Sequence, residues 1–416
     1  MKHSTSRASL AWRATALLSV LAIVAGACGS SSKKSSSSSA TTAKSSNVGA
    51  GKDIVVGGIY SQTGPVPFNN AMGGADAFWQ DINAKGGING YHIKFVASDD
   101  ASDAQKNAAA ATKLVQTDKA VIISEVAEQT APAGLPAITG AGIPLVPTYS
   151  QPAWYKTPGV YPIGAFYQAA IARAIVGQIK AKGFTKVAIS TVTSPTAKIA
   201  TDIIKQEIAK AGGITVVADI TYAPTETDFT GQTSKVKSSG AEIALCICAQ
   251  GHIVSWGKSA ELQGYKGIMY ATGYSPAYAT GIGQWANGRL WTAAPVGPLG
   301  NDEARAAAEA VGKKYHADLD TTSVNYAYAW TEAEIIAEAI KRVGDKPMTS
   351  ENLKIALATF KDWSGTYNAP LSYAPPTTVN ADPNHCIQLQ QVGTDGKLVT
   401  VDGKRFQCWE GTVAPA

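Results

Sequence analysis

Apolar residues along this chain fall into two alternating rhythms. Short runs rich in β-branched side chains end abruptly at Gly, Pro or polar clusters, and between them lie longer stretches with apolar positions at helical spacing. The first short run, IVVGGIYSQTGP from Ile54 to Pro65, predicts a buried strand that ends in a polar loop. Ala71, Ala75, Phe78 and Ile82 then recur on one face of a helix. GGINGYHIKFVASDD, residues 86 to 100, gives a Gly-rich turn and a strand from Tyr91 to Ala97. A helix over Asp103–Gln116 follows, with Ala104, Ala108, Ala111 and Val115 as its inner face. The strand Ala120–Ser124, the loop SEVAEQT, a segment opened by Pro132, and the strand Ile143–Val146 before PTYSQP complete a βαβαβαβ series. Such a series makes a parallel sheet with right-handed crossovers and helices on both faces.

A second series begins at Tyr167, with a helix reaching about Lys182. It continues as strand Lys186–Thr193, helix Pro195–Ala211 with Ile199, Ile203 and Ile208 inward, and strand Ile214–Tyr222. TETDFTGQTSKVKSSG reads as a loop plus helix; strand Glu242–Cys248, helix His252–Gln263, and strands Gly267–Thr272 and Arg289–Ala293 follow. Three helices come after Pro298: Asp302–Tyr315, Ser323–Val343 and Ser350–Phe360. From Pro370 the tail is strand-rich, with GTDGK and VDGK as turn signals. A second α/β lobe of similar plan is implied.

With 416 residues, 45% of them hydrophobic, the chain can fill two cores. Lys2, His3, Arg7 and Arg13 form a cationic head before the apolar run Ala14 to Ala27, so residues 1–27 are expected to be a signal peptide. The run is shorter than the roughly 18 residues a bilayer span takes. Its removal leaves 33 basic against 31 acidic residues, and no basic stripe interleaved with aromatics appears, so no nucleic-acid partner is expected. VAGAC, ending at Cys28, resembles the lipobox of bacterial lipoproteins, with Ala25 where that motif usually has Leu. The resemblance implies a lipid anchor through an acylated Cys28. The Ser/Thr/Ala/Lys tract that follows cannot bury enough surface to fold, which makes residues 28–51 a flexible tether.

An exported, oxidising location favours a disulfide between Cys386 and Cys408. Cys246 and Cys248 lie two apart in AEIALCICA, on one side of a strand, and are expected to be buried thiols. His92, His252, His316 and His385 are scattered without an HExxH or CxxC motif, so no metal site is expected. GxSxG, GxxxxGK[ST] and a GxGxxG after the first strand are all missing, which argues against an enzyme and a bound cofactor. Asp99 and Asp100, adjacent at a strand end, point to opposite faces and do not form a catalytic carboxylate pair.

The opening strand with its loop ending in Gly64 and Pro65, then GGINGYHIKFVASDD, IPLVPTYSQP and TETDFTGQTSKVKSSGAEIAL, together resemble the leucine/isoleucine/valine-binding type of periplasmic binding protein, over residues 53 to about 368. The resemblance implies an α/β fold of two Rossmann-like lobes joined by three crossovers, near residues 165, 294 and 368, with the ligand cleft between the lobes. Residues 52–165 plus 294–368 would form the first lobe and residues 166–293 plus 369–412 the second. It further implies an extracytoplasmic, lipid-anchored receptor that captures a small molecule by lobe closure and delivers it to the permease of an ABC importer. A sensing receptor of the same fold, reporting to a signalling partner, stands as the alternative.

Candidate ligand contacts sit in loops at the carboxyl ends of strands, where α/β folds bind. The first lobe offers Ser61, Gln62 and Thr63, which could instead cap a helix, and Phe68, a cavity wall or plain core. Glu125, Gln129 and Thr130 come from SEVAEQT; its two acids, Glu125 and Glu128, could equally be solvated. Tyr149 and Ser150 align with the segment where the family grips an amino acid's carboxylate. The second lobe offers Thr193, Ser194, Gln250, His252, Thr272 and Tyr274. Amino-acid-binding members commonly place an acid after the strand equivalent to Gly267–Ala271 to hold the ligand's ammonium, whereas this chain reads MYATGYSP. The missing acid counts against a plain amino acid unless Glu125 or Glu128 substitutes, and leaves open a branched-chain amino acid-like molecule, an amide or an organic or aromatic acid as the ligand.

Overall fold

The computed structural model describes residues 49–410 apart from 66, 128–129, 149, 273–275, 295 and 298–301, with the side chains of 250, 276–277 and 302 also left out. The first lobe alternates as the sequence pattern requires: β1 (Asp53–Tyr60), α1 (Ala71–Ala84), β2 (His92–Asp99), α2 (Ala104–Gln116), β3 (Ile122–Val126), α3 (Leu135–Gly140) and β4 (Leu145–Pro147). Its strands form a parallel sheet in the order β2-β1-β3-β4. The second lobe runs through α4 (Tyr167–Ala181), β5 (Lys186–Val192), α5 (Pro195–Ala211), β6 (Thr215–Tyr222), α6 (Thr230–Ser238), β7 (Ile243–Ile247), α7 (Gln250–Leu262), β8 (Ile268–Thr272), α8 (Pro276–Ile282) and β9 (Leu290–Ala294). The chain then returns to the first lobe as α9 (Asp302–Tyr315), α10 (Val324–Val343) and α11 (Ser350–Leu357). It finishes on the second sheet with β10 (Cys386–Val392), β11 (Leu398–Thr400) and β12 (Gln407–Cys408). That sheet has the order β11-β10-β9-β8-β7-β5-β6, with β10 antiparallel to β9 and β12 paired to β10. Three passages between the sheets, after β4, after β9 and between α11 and β10, give the two-lobed α/β fold expected from the sequence.

Each face of the first sheet buries its own core. α1, α10 and α11 cover Ile54, Val56 and Tyr60 on one side, while α2 and α3 cover Ile59 and Ile123 on the other. Gly58 is required where it stands, because a Cβ there would lie 2.5 Å from the Tyr60 ring.

Two helices are rotated from the faces their apolar periodicity suggests. In α2 the buried residues are Asn107, Ala111 and Leu114, whereas Ala104 is exposed and Ala108 and Val115 only half-buried. Asn107 turns inward because its amide donates to two buried carboxyls, Asp100 and Glu125. In α5 the buried face is Ala197, Thr201, Ile204 and Ile208, and Ile199 is 43% exposed. The Thr201 hydroxyl meets that of Thr191 on β5 at 2.8 Å, which fixes the helix one position round from the isoleucine stripe.

Cys386 and Cys408 are register partners on β10 and β12, with Cα atoms 4.0 Å apart, and are placed as a bonded pair. The structure also corrects the expectation of two free thiols at Cys246 and Cys248, which it joins as well. β7 ends at Ile247, so Cys248 leaves the strand and the Cα separation falls to 5.1 Å, within the span of a disulfide. Alkylation of the unfolded, unreduced protein should therefore modify none of these four cysteines. Mass-spectrometric labelling of Cys246 and Cys248 would restore the thiol assignment.

Candidate functional site

Strand ends from both sheets, and the starts of α4, α5 and α10, enclose a cavity of about 680 Å³. The first lobe supplies Pro65, Pro67 and Phe68 from the loop after β1, Ser150 after β4, and Val324, Asn325 and Tyr328 from the first turns of α10. Tyr167, Gln168 and Ile171 of α4 form the side where the chain crosses between lobes. The second lobe adds Val192, Ile247, Cys248 and Thr272 at strand ends, Pro224 after β6, and one face of α5 from Ser194 to Ile204.

The wall carries no Asp, Glu, Lys, Arg or His among the described residues. Its electrostatics come instead from the starts of long helices. α5 begins at Ser194, whose hydroxyl caps the Ala197 N–H at 3.1 Å, and α10 begins at Ser323, which caps Asn325. Helix N-termini present partial positive charge and favour an anionic group nearby. Three polar atoms on the wall have no partner among the described residues: the Ser150 hydroxyl, Gln168 Oε1 and Asn325 Oδ1. Ser150 and Gln168 are each 5% exposed. Buried polar groups are normally paired, so these three mark where a ligand's polar atoms would complete the bonding.

Of the residues singled out in the sequence, Phe68, Ser150, Ser194 and Thr272 come together on this wall. Thr272 already donates its hydroxyl to the Cys248 carbonyl at 3.2 Å. Others are engaged with two carboxylates, the buried Asp100 and the exposed Asp99. The Ser61 hydroxyl donates to Asp100 at 2.7 Å and the Thr130 hydroxyl to the same carboxylate at 2.5 Å. Asp99 receives the backbone N–H groups of Gln62 and Thr63 and the Thr63 hydroxyl. The adjacent Asp99 and Asp100 thus divide the work of pinning the loop after β1 to those after β2 and β3.

Glu125 is fully buried on the α2 side of the sheet, where Asn107 donates to it at 2.8 Å. Burial raises its carboxyl to about 8, opposed by the Asn107 bond and reinforced by repulsion from Asp100. A carboxyl so placed is no counter-charge for an ammonium in the cavity. Thr193 bonds the Tyr222 carbonyl through both its N–H and its hydroxyl. His252 packs its ring against Tyr222 and Phe229, with Nδ1 3.3 Å from the Tyr222 hydroxyl. Cys28, Glu128, Gln129, Tyr149, Tyr274 and the side chain of Gln250 lie outside the described residues.

Sequence reading missed Tyr167, Gln168, Asn325 and Tyr328, along with the α5 face. A usable signal existed: Gln168 and Asn325 are polar residues set among apolar ones at the first turn of a helix, in YQAAIARAI and VNYAYAW.

Two α/β sheets wall one cavity, the arrangement of a two-lobed fold with a cleft between the lobes. Residues 53–397 match the family described as Periplasmic binding protein, and the chain belongs to that family. It is similar to an "Amino acid binding protein" of Pseudomonas aeruginosa, 31% identical over 213 residues, 46% of this chain and 52% of the relative. The chain thus spans about half the length of that curated relative. Among solved structures, it is similar to the branched-chain amino acid transporter substrate binding protein LivJ of Streptococcus pneumoniae in complex with isoleucine, with TM-score 0.70, 19% identity, and coverage of 84% of this chain and 99% of that one. A fatty acid ABC transporter substrate-binding protein from Thermomonospora curvata gives TM-score 0.71, 18% identity, and coverage of 86% and 93%. At these identities the likeness establishes the fold. No helix among the described residues is long and apolar enough to cross a membrane.

Proposed function

We propose that this chain is an extracytoplasmic receptor, anchored through an acylated Cys28, that encloses a small molecule between its lobes and presents it to the permease of an ABC importer. One observation carries the reading: the cavity wall is shared by loops and helix starts of both lobes. A ligand that touches both walls interacts more strongly with the closed form than with the open one, and that difference drives closure. Ser150 and the starts of α5 and α10 would hold the polar end of the ligand, while Phe68 and Tyr328 would flank its body.

Small-angle scattering tests the closure. A small molecule that stabilises the protein, by about 2.7 kcal/mol at ~100 times its dissociation constant, should also reduce the radius of gyration. Stabilisation without compaction would contradict closure. For the anchor, mass spectrometry of the N-terminal peptide from native membranes should find diacylglyceryl-modified Cys28 as the first residue; an unmodified Cys28 in an intact leader overturns it.

A further inference from the structure

Two amide side chains on the cavity wall occupy the same place in their helices. Gln168 is the second residue of α4 and Asn325 the second of α10, and both line the cavity. Gln168 is buried, and its Nε2 donates to the Ser150 carbonyl at 3.4 Å, which fixes which end of the amide is the acceptor and leaves Oε1 for another partner. Neither Gln168 Oε1 nor Asn325 Oδ1 has a partner among the described residues. A sheltered acceptor without a donor costs free energy that an N–H or O–H of a ligand would recover. The first turn of a helix is where a carboxylate is most favoured, yet neither α4 nor α10 has an acid there. The two helix starts therefore offer acceptors that carry no negative charge, in a place whose partial positive charge disfavours a cation. One turn further along each helix, Ile171 and Tyr328 continue the wall as buried, largely apolar surface.

Building on the receptor reading, we infer that Gln168 and Asn325 select the ligand by an uncharged N–H group, and that the ligand is a carboxamide with a small aliphatic body. A carboxylate has no hydrogen to donate to either oxygen. An ammonium has, and so does an amino acid through its own ammonium, but each brings a buried cation to the helix starts with no acid on the described wall to pair it, which is costly. A primary carboxamide donates through two N–H groups and stays neutral. Its hydrocarbon lies against Ile171 and Tyr328.

Calorimetry on the purified protein tests this with four probes built on one carbon skeleton: 4-methylpentanamide, 4-methylpentanoate, 4-methylpentylamine and leucine. The amide should bind at least tenfold more tightly than each of the other three. Gln168→Met and Asn325→Leu each replace an acceptor by an apolar group of similar shape, and each should weaken the amide about tenfold more than it weakens 4-methylpentanoate. Asn325→Asp supplies a negative charge at a helix position that favours one, so its urea midpoint should match the wild type while its preference moves at least tenfold from the amide toward the amine. Leucine, the amine or the acid binding as tightly as the amide overturns the inference and leaves the receptor reading intact. So does a set of variants that weakens all four probes equally, or a folded Asn325→Asp protein whose ratio of amine to amide affinity is unchanged. Binding of none of the four also overturns the inference; the receptor reading is then decided separately, by whether any small molecule compacts the protein in scattering.

Discussion

Replacing Asp100 with alanine should destabilise the protein by on the order of 4 kcal/mol and weaken ligand binding with it. The carboxylate is fully buried and accepts four hydrogen bonds: from the Ser61 hydroxyl at 2.7 Å, the Ser102 N–H at 2.9 Å, the Asn107 amide at 3.0 Å and the Thr130 hydroxyl at 2.5 Å. Alanine removes every acceptor at once and leaves buried donors without partners, each of which costs about 1–3 kcal/mol, in part relieved by entering water. Asp100→Asn retains one acceptor oxygen and should lose roughly half as much. The consequence reaches the cavity because Ser61 begins the loop that carries Pro65, Pro67 and Phe68 to the wall, and Thr130 lies in the loop after β3. Urea denaturation gives the stability change. An Asp100→Ala protein that unfolds at the wild-type urea concentration would mean the network is not what ties these loops together.

The fold was legible because the signals for it are local. Short β-branched runs closed by Gly or Pro, alternating with helical stretches, mark strand and helix wherever they sit, and sheet order then follows from crossover handedness. The candidate site was legible only as a set of loops. Polar residues at the end of β1 are visible in YSQTGP, but whether Ser61 and Thr63 face a cavity or a carboxylate depends on Asp99 and Asp100, 36 to 39 residues onward and one strand over. Likewise the isoleucine periodicity placed Ile208 correctly but Ile199 on the wrong side of α5, because the Thr191–Thr201 contact between strand and helix decides the rotation. The cysteine pair depended on a strand ending one residue before Cys248. In each case a side-chain contact between separate elements overrode the periodicity of one element alone.

Stability should fall as pH rises from about 5 to 8, and Glu125 and Glu332 should be the cause. Glu332, on the inner face of α10, is fully buried, and both its carboxyl oxygens lack a partner among the described residues. Burial pushes its carboxyl far above the usual glutamate range, with repulsion from Glu125 adding to it. Glu125 itself is raised to about 8 by burial, against the Asn107 bond and with repulsion from Asp100. In the unfolded chain both groups ionise near pH 4.3. Between that pH and about 8 the native state therefore holds protons that the unfolded state has lost, and linkage makes stability decline with rising pH across the window, by on the order of a few kcal/mol. Glu125→Gln should flatten the decline. Glu332→Met, similar in volume and free of charge, should raise stability at pH 8 by roughly 2 kcal/mol or more by removing an unpaired buried polar group. Urea midpoints at pH 5, 6.5 and 8 decide the matter, and a wild-type curve that stays level or climbs would show that neither carboxyl is held neutral. The same titration bears on binding, since Glu332 lies two helical turns along α10 from Asn325, on the face that also carries Tyr328. Charge appearing there would draw water to the packed side of the helix whose first turns wall the cavity, so affinity should decline over the same pH range as stability.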